Sequence, residues 1–232
     1  MAKIYAKGKI PIVVGGTGFY IQALLYNIDF TDNEEDDTYR KHLEQLAKEK
    51  GSEYLHDKLR EADPKAAETI HANNTKRVIR ALEFFHQTGQ KISEHNEKER
   101  AKESPYIFRY FVLTDDREVL YDRINKRVDQ MLEEGLLEEV ASLREKGYTR
   151  DLVSMQGLGY KEILSYLDGE CTLEEAVYIL KRDTRHFAKR QLTWFRRERD
   201  VTWIDKRQFD RDEKRILDYM IEQWKERFSL PC

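Results

Sequence analysis

Ile10-Pro-Ile-Val-Val-Gly-Gly-Thr-Gly-Phe-Tyr20 decides how this 232-residue chain is read. Its first five residues are a short, continuous apolar and β-branched run, the pattern of a strand buried on both faces in a parallel sheet. Gly15 and Gly16 close the run, and residues 18 to 26 have the spacing of a helix start. A strand, a glycine turn and a helix in that order form the carboxyl edge of an α/β sheet, where ligands bind. Thr17 then presents a hydroxyl at the rim of the cleft. On physics alone, a plain tight turn with Thr17 as helix cap competes with a catalytic role. The turn is not a phosphate-binding P-loop, because G-x-x-x-x-G-K-[ST] occurs nowhere in the chain.

Outward from this turn, Asp29, Asp32, Glu34, Glu35, Asp36 and Asp37 form an acidic stretch without apolar period, read as a solvated boundary. Residues 37 to 100 read as several helices, with Gly51 and Gly89 as stops and Asp63-Pro64 as a start. Residues 106 to 113 regain strand composition, so the sheet is expected to resume there. Asp115 and Glu118 form a helix start signal, Gly135 a break, and Thr172 with Glu175 a capping box before a helix reaching about Arg197. Residues 201 to 205 are a final strand candidate and 210 to 228 a closing amphipathic helix.

Composition excludes several classes. The chain is 40% hydrophobic and 37% charged, with 13 Tyr, 10 Phe and 3 Trp, which argues for a soluble folded protein rather than a disordered one. Cys171 and Cys232 are too few for a zinc site or a disulfide framework, which fits a reducing, cytoplasmic setting. No apolar run is long enough to span a bilayer, so no membrane partner is expected. The net charge of −3 gives no global basic field, so any nucleic-acid surface must be local.

Local clusters exist. Lys76, Arg77 and Arg80 share one helix face, with Val78, Leu82 and Phe85 opposite; this is an ordinary solvated face or a row of phosphate contacts. Arg123 and Arg127 lie one turn apart and suit a diphosphate or pairing with helix carboxylates such as Asp122 and Asp129. Residues 181 to 199 hold eight cations against two anions, which favours a polyanionic partner. Phe187 and Trp194 in that stretch are expected to pack into the core. Gln156-Gly-Leu-Gly-Tyr-Lys161 reads as a glycine hinge beside Tyr160 and Lys161.

The order and wording of these segments resemble the tRNA dimethylallyltransferases, also called isopentenyltransferases. The resemblance rests on IPIVVGGTGFYIQALL (10 to 25), HANNTKRVIRALEFFHQTG (71 to 89), LYDRINKRVDQMLEEGLLEEV (120 to 140), QGLGYKEI (156 to 163) and TRHFAKRQLTWFR (184 to 196). It implies transfer of a dimethylallyl group from dimethylallyl diphosphate to N6 of the adenosine just 3′ of the tRNA anticodon. The target base is flipped into a channel, and Mg2+ accompanies the diphosphate. The implied fold is helix-rich α/β, a P-loop-kinase-like parallel sheet over residues 1–30 and 104–232, with an all-helical tRNA-binding insertion over 31–103.

Residue by residue, Thr17 resembles the channel threonine near the reacting amine. Arg40, Lys76, Arg77, Arg80, Gln156, Gly159, Tyr160, Lys161, Lys189, Arg190, Gln191 and Arg196 resemble tRNA contacts, and Arg123 with Arg127 suit the diphosphate. No metal ligand is assigned within the chain. Family members begin with a P-loop and a D-S-x-Q-x-Y segment carrying the proposed base, whereas here Met1 leads into what resembles the helix before the GGTG strand. The resemblance therefore implies a monomer that holds the anticodon stem-loop and has little or no transferase activity as these 232 residues alone. A non-catalytic anticodon-arm-binding protein is the alternative. A small-molecule phosphotransferase would lack the lysine that holds nucleotide phosphates.

Overall fold

In the computed structural model, residues 1–28 and 38–228 are described; the acidic stretch at 29 to 37 and Cys232 lie outside the described residues. Two compact units divide them, one of residues 1–15 and 19–107, the other of 16–18 and 108–232.

The first unit is helical: α1 (Ala2–Tyr5), α2 (Gly18–Tyr26, whose first residue belongs to the second unit), α3 (Thr38–Lys50), α4 (Ser52–Ala62), α5 (Pro64–Thr69), α6 (Thr75–Thr88) and α7 (Ile92–Ala101). Local signals set their ends. Gly89 takes a left-handed C-cap with φ 66°, where glycine has no Cβ penalty, and Asp63 caps α5 by accepting from Ala66 N at 3.0 Å, with Pro64 at the first helical position. Asn74 sits at the N-cap of α6 without a side-chain capping bond. Leu43, Leu55, Leu59, Val78, Ile79 and Leu82 close the core. Phe84 is buried in α6, whereas Phe85, expected inside, is exposed.

The second unit carries β1 (Tyr110–Thr114) and β2 (Val201–Asp205), parallel and in register from Tyr110 opposite Val201 to Thr114 opposite Asp205. Between them run α8 (Arg117–Glu133), α9 (Leu136–Glu145), a 3-10 turn (Val153–Gln156), α10 (Tyr160–Leu167) and α11 (Leu173–Phe195). A second 3-10 turn (Lys206–Phe209) and α12 (Glu213–Phe228) follow. Gly135, at φ 102°, separates α8 from α9 as the sequence predicts, and the Thr172 and Glu175 capping box opens α11. The N-cap of α8 is Asp116 rather than Asp115, whose carboxylate instead accepts from Asp116 N. Val128, Val140, Ile163, Leu164 and Leu180 form this unit's core.

One expectation is overturned. Residues 10 to 14 form no strand, and Ile12 and Val14 are 85% and 90% exposed. A buried strand needs neighbours to pair its N–H and C=O groups. The sheet among the described residues has two strands, β1 and β2, and neither pairs with this run.

Candidate functional site

The Gly16-Thr17-Gly18 turn is bolted to the end of α11. Gln191 Nε2 donates to Gly16 O at 2.8 Å. The indole of Trp194 sits close against Gly18, so that a Cβ added there would come within 2.1 Å of Trp194 Cδ1. Gly18 is buried, and Thr17 between the two anchors is exposed at the start of α2. Residues 191 and 194 are i, i+3 neighbours on one helix face, so both side chains can reach the same turn. Burial pushes the Glu198 carboxyl up, opposed by a hydrogen bond from the Trp194 side chain and by Arg199.

The same helix supplies the basic surface, though less of it than its composition suggests. Lys181 pairs with Asp129 and Arg182 with Asp183, while Arg185 Nη1 donates to Asn125 Oδ1 at 2.7 Å. Lys189, Arg190, Arg196 and Arg197 are exposed and make no ion pair among the described residues. The available cations thus gather at the carboxyl end of α11, on either side of the residues that hold the Thr17 turn. Phe187, expected in the core, is 40% exposed with the Arg190 guanidinium over its ring, and Phe195 is the buried anchor instead, edge-on to Tyr110.

The remaining residues separate by partner. Arg127 pairs with Glu134 at 3.1 Å, not with Asp122 or Asp129, which pair with Lys126 and Lys181; Arg123 is exposed on the same helix. Gly159, at φ 99°, is the N-cap of α10, and its N–H is held by buried Glu162 at 2.9 Å. Tyr160 donates to Glu139, Gln156 Nε2 to Arg150 O at 3.2 Å, and Lys161 lies 3.4 Å from Asp183 and 3.2 Å from Glu162. On the helical unit, Lys76 and Arg77 are exposed on the first turn of α6. Arg40 and Arg80 converge on buried Glu83, at 2.7 and 3.6 Å. The sequence reading missed Glu83; its only sign is a carboxylate between Leu82 and Phe84, one turn after the apolar Ile79.

No cluster of three or more His, Cys, Asp or Glu side chains able to hold a metal occurs among the described residues. Nor is any helix among them long and apolar enough to cross a membrane.

Fold and site together describe a helix-rich α/β protein whose threonine turn is fastened to a cationic helix end. The family model described as IPP transferase matches residues 1–198. A tRNA dimethylallyltransferase of Lachnoclostridium phytofermentans is 61% identical over 220 residues, covering 95% of this chain and 70% of the relative. One from Acetivibrio thermocellus is 60% identical over 214 residues, covering 92% and 68%. Among solved structures, the full-length tRNA isopentenylpyrophosphate transferase of Bacillus halodurans matches with TM-score 0.63 at 45% identity, over 97% of this chain and 70% of its own. A eukaryotic dimethylallyltransferase acting on tRNA matches at 0.75 and 28% identity, over 100% and 60%. The chain belongs to the IPP transferase family.

Proposed function

We propose that this protein acts in tRNA prenylation, binding the anticodon stem-loop and serving transfer of the dimethylallyl group from dimethylallyl diphosphate to N6 of the adenosine 3′ of the anticodon. The observation that carries the reading is the fastening of the Thr17 turn to the cationic end of α11 by Gln191 and Trp194. Phosphates gripped by Lys189, Arg190, Arg196 and Arg197 would fix the RNA relative to Thr17. An adenine flipped from the stack could then offer N6 to the threonine hydroxyl. In the transfer, N6 forms a bond to the allylic carbon, the carbon–oxygen bond to diphosphate breaks, and N6 loses a proton.

Arg123 and Arg127 remain the proposed diphosphate contacts, with Arg127 leaving Glu134 to make its contact, and magnesium is proposed to travel with the diphosphate. Residues 31–103 serve as the tRNA-gripping insertion and residues 1–30 with 104–232 as the transferase part. We take the protein to be monomeric and cytoplasmic.

Anisotropy titration of an anticodon stem-loop at several salt concentrations tests the grip. Affinity is expected to fall with salt, and the double variant Lys189→Ala/Arg190→Ala lowers the slope of log K against log salt by about 1.5. Binding that ignores salt, or an unchanged slope, would sink the reading. Incubation with dimethylallyl diphosphate and Mg2+, read by mass spectrometry at the target adenosine, tests the chemistry. A dimethylallyl label at N6 of that adenosine supports the transferase reading, and stem-loop binding without any label would favour the non-catalytic alternative.

A further inference from the structure

We propose that Glu83 is a positioning residue for RNA binding, its buried carboxylate holding Arg40 and Arg80 ready as phosphate contacts on the helical unit. The inference rests on the anticodon-arm reading above. The Glu83 side chain is 4% exposed, and a carboxylate so deep persists only with charged or hydrogen-bonding partners. Arg40 supplies them from α3, donating Nε to Oε1 at 3.0 Å and Nη2 to Oε2 at 2.7 Å, the fork geometry that suits a guanidinium to a carboxylate. Arg80, one turn earlier on α6, brings Nη1 to 3.6 Å from Oε2.

Neither arginine is consumed by burial, since their side chains are 40% and 39% exposed. Each is thus tied to Glu83 while retaining accessible surface. Two turns of α6 then present Lys76, Arg77 and Arg80, with Arg40 beside them from α3. Lys76 and Arg77 lie on the helix's first turn, whose dipole also favours a phosphate. The gain is preorganisation: an arginine already fixed by a buried partner loses less rotamer freedom on meeting a phosphate than one free in solvent.

Glu83→Gln separates this role from simple charge. The substitution preserves side-chain volume and makes the protein one unit more positive, so electrostatics alone would tighten RNA binding. Positioning requires the opposite. Titration of an anticodon stem-loop is expected to give a Kd about five- to tenfold higher, the cost of fixing one long side chain at the moment of binding. A Kd that is unchanged or lower overturns the proposal. Far-ultraviolet circular dichroism at the assay temperature checks that the variant is folded. If it is not, Arg40→Lys takes its place, keeping the cation but losing the fork; a several-fold rise in Kd supports the proposal and an unchanged Kd overturns it. Lys76→Ala/Arg77→Ala tests the underlying reading. If that pair weakens binding and Glu83→Gln does not, the positioning role alone fails; if the pair has no effect, this face of the helical unit is not an RNA surface.

Discussion

Asp63→Ala is expected to destabilise the helical unit by about 3 to 5 kcal/mol, because it strands three donors that one buried carboxylate now serves. Oδ1 accepts from Ala66 N at 3.0 Å and from Ser93 Oγ at 2.7 Å, and Oδ2 accepts from Ser93 N at 2.9 Å. Asp63 is 1% exposed. It therefore caps α5 and fastens the first turn of α7 to it, 30 residues along the chain. Burial pushes the carboxyl up, but the bonds from Ser93 and Ala66 and the charge of Lys91 outweigh it, so the net shift is downward from 3.8. A lowered carboxylate stabilises the fold fully above its unfolded value and loses that contribution as pH falls through the lower folded value. Urea unfolding is thus expected to show wild-type stability falling below about pH 4, with Asp63→Ala lacking that component. Asp63→Asn, retaining shape without charge, should fall between the two. A loss under about 1 kcal/mol for Asp63→Ala would mean that the two helices are joined mainly by other contacts.

The second large effect belongs to Gly18. An alanine there would put a methyl 2.1 Å from Trp194 Cδ1, 2.3 Å from Nε1 and 2.9 Å from Cγ, so the indole or the turn must move. Overpacking of this kind costs about 1 to 3 kcal/mol. A shift of the turn by about 1 Å is enough to cut a positioned reaction roughly a hundredfold. Gly16 provides the contrast. Its added Cβ would meet Gln191 Nε2 at 2.1 Å, the far end of a flexible side chain that can swing aside. Gly16→Ala should then cost about one hydrogen bond, ~1 kcal/mol. Thermal melts and stem-loop binding of the two variants measure the difference, and Gly18→Ala/Trp194→Ala should recover part of the single variant's loss. Equal effects at the two glycines would refute the account in which a rigid indole backs the turn.

Much of the fold is legible in the sequence because helix boundaries are local. Asp63-Pro64, Gly89, Gly135 and the Thr172 and Glu175 box act within three or four residues, and each ends or begins a helix where it is expected. The Asp115 signal misses by one residue for the same local reason: two consecutive aspartates compete, and Asp116 becomes the cap. The five apolar residues at 10 to 14 mislead because strand composition measures fit to a sheet, while a strand exists only beside a partner. The cationic clusters mislead in a different way. Counting charges between 181 and 199 cannot reveal that Lys181 is neutralised by Asp129 on another helix, 52 residues earlier in the chain.

The sequence by itself determined most helix boundaries, the glycine turn around Thr17, strand character within 106 to 113 (of which 110 to 114 forms β1) and at 201 to 205, and the family, because these depend on short-range spacing and on ordered motifs. Tertiary structure alone decided which cations remain available, that Gln191 and Trp194 hold the Thr17 turn, and that Arg40 and Arg80 share the buried carboxylate of Glu83. The physical reason is distance along the chain. Gln191 and Gly16 are 175 residues apart and Arg40 and Glu83 are 43 apart. Such bonds form only after packing has brought their helices together and excluded water from between them.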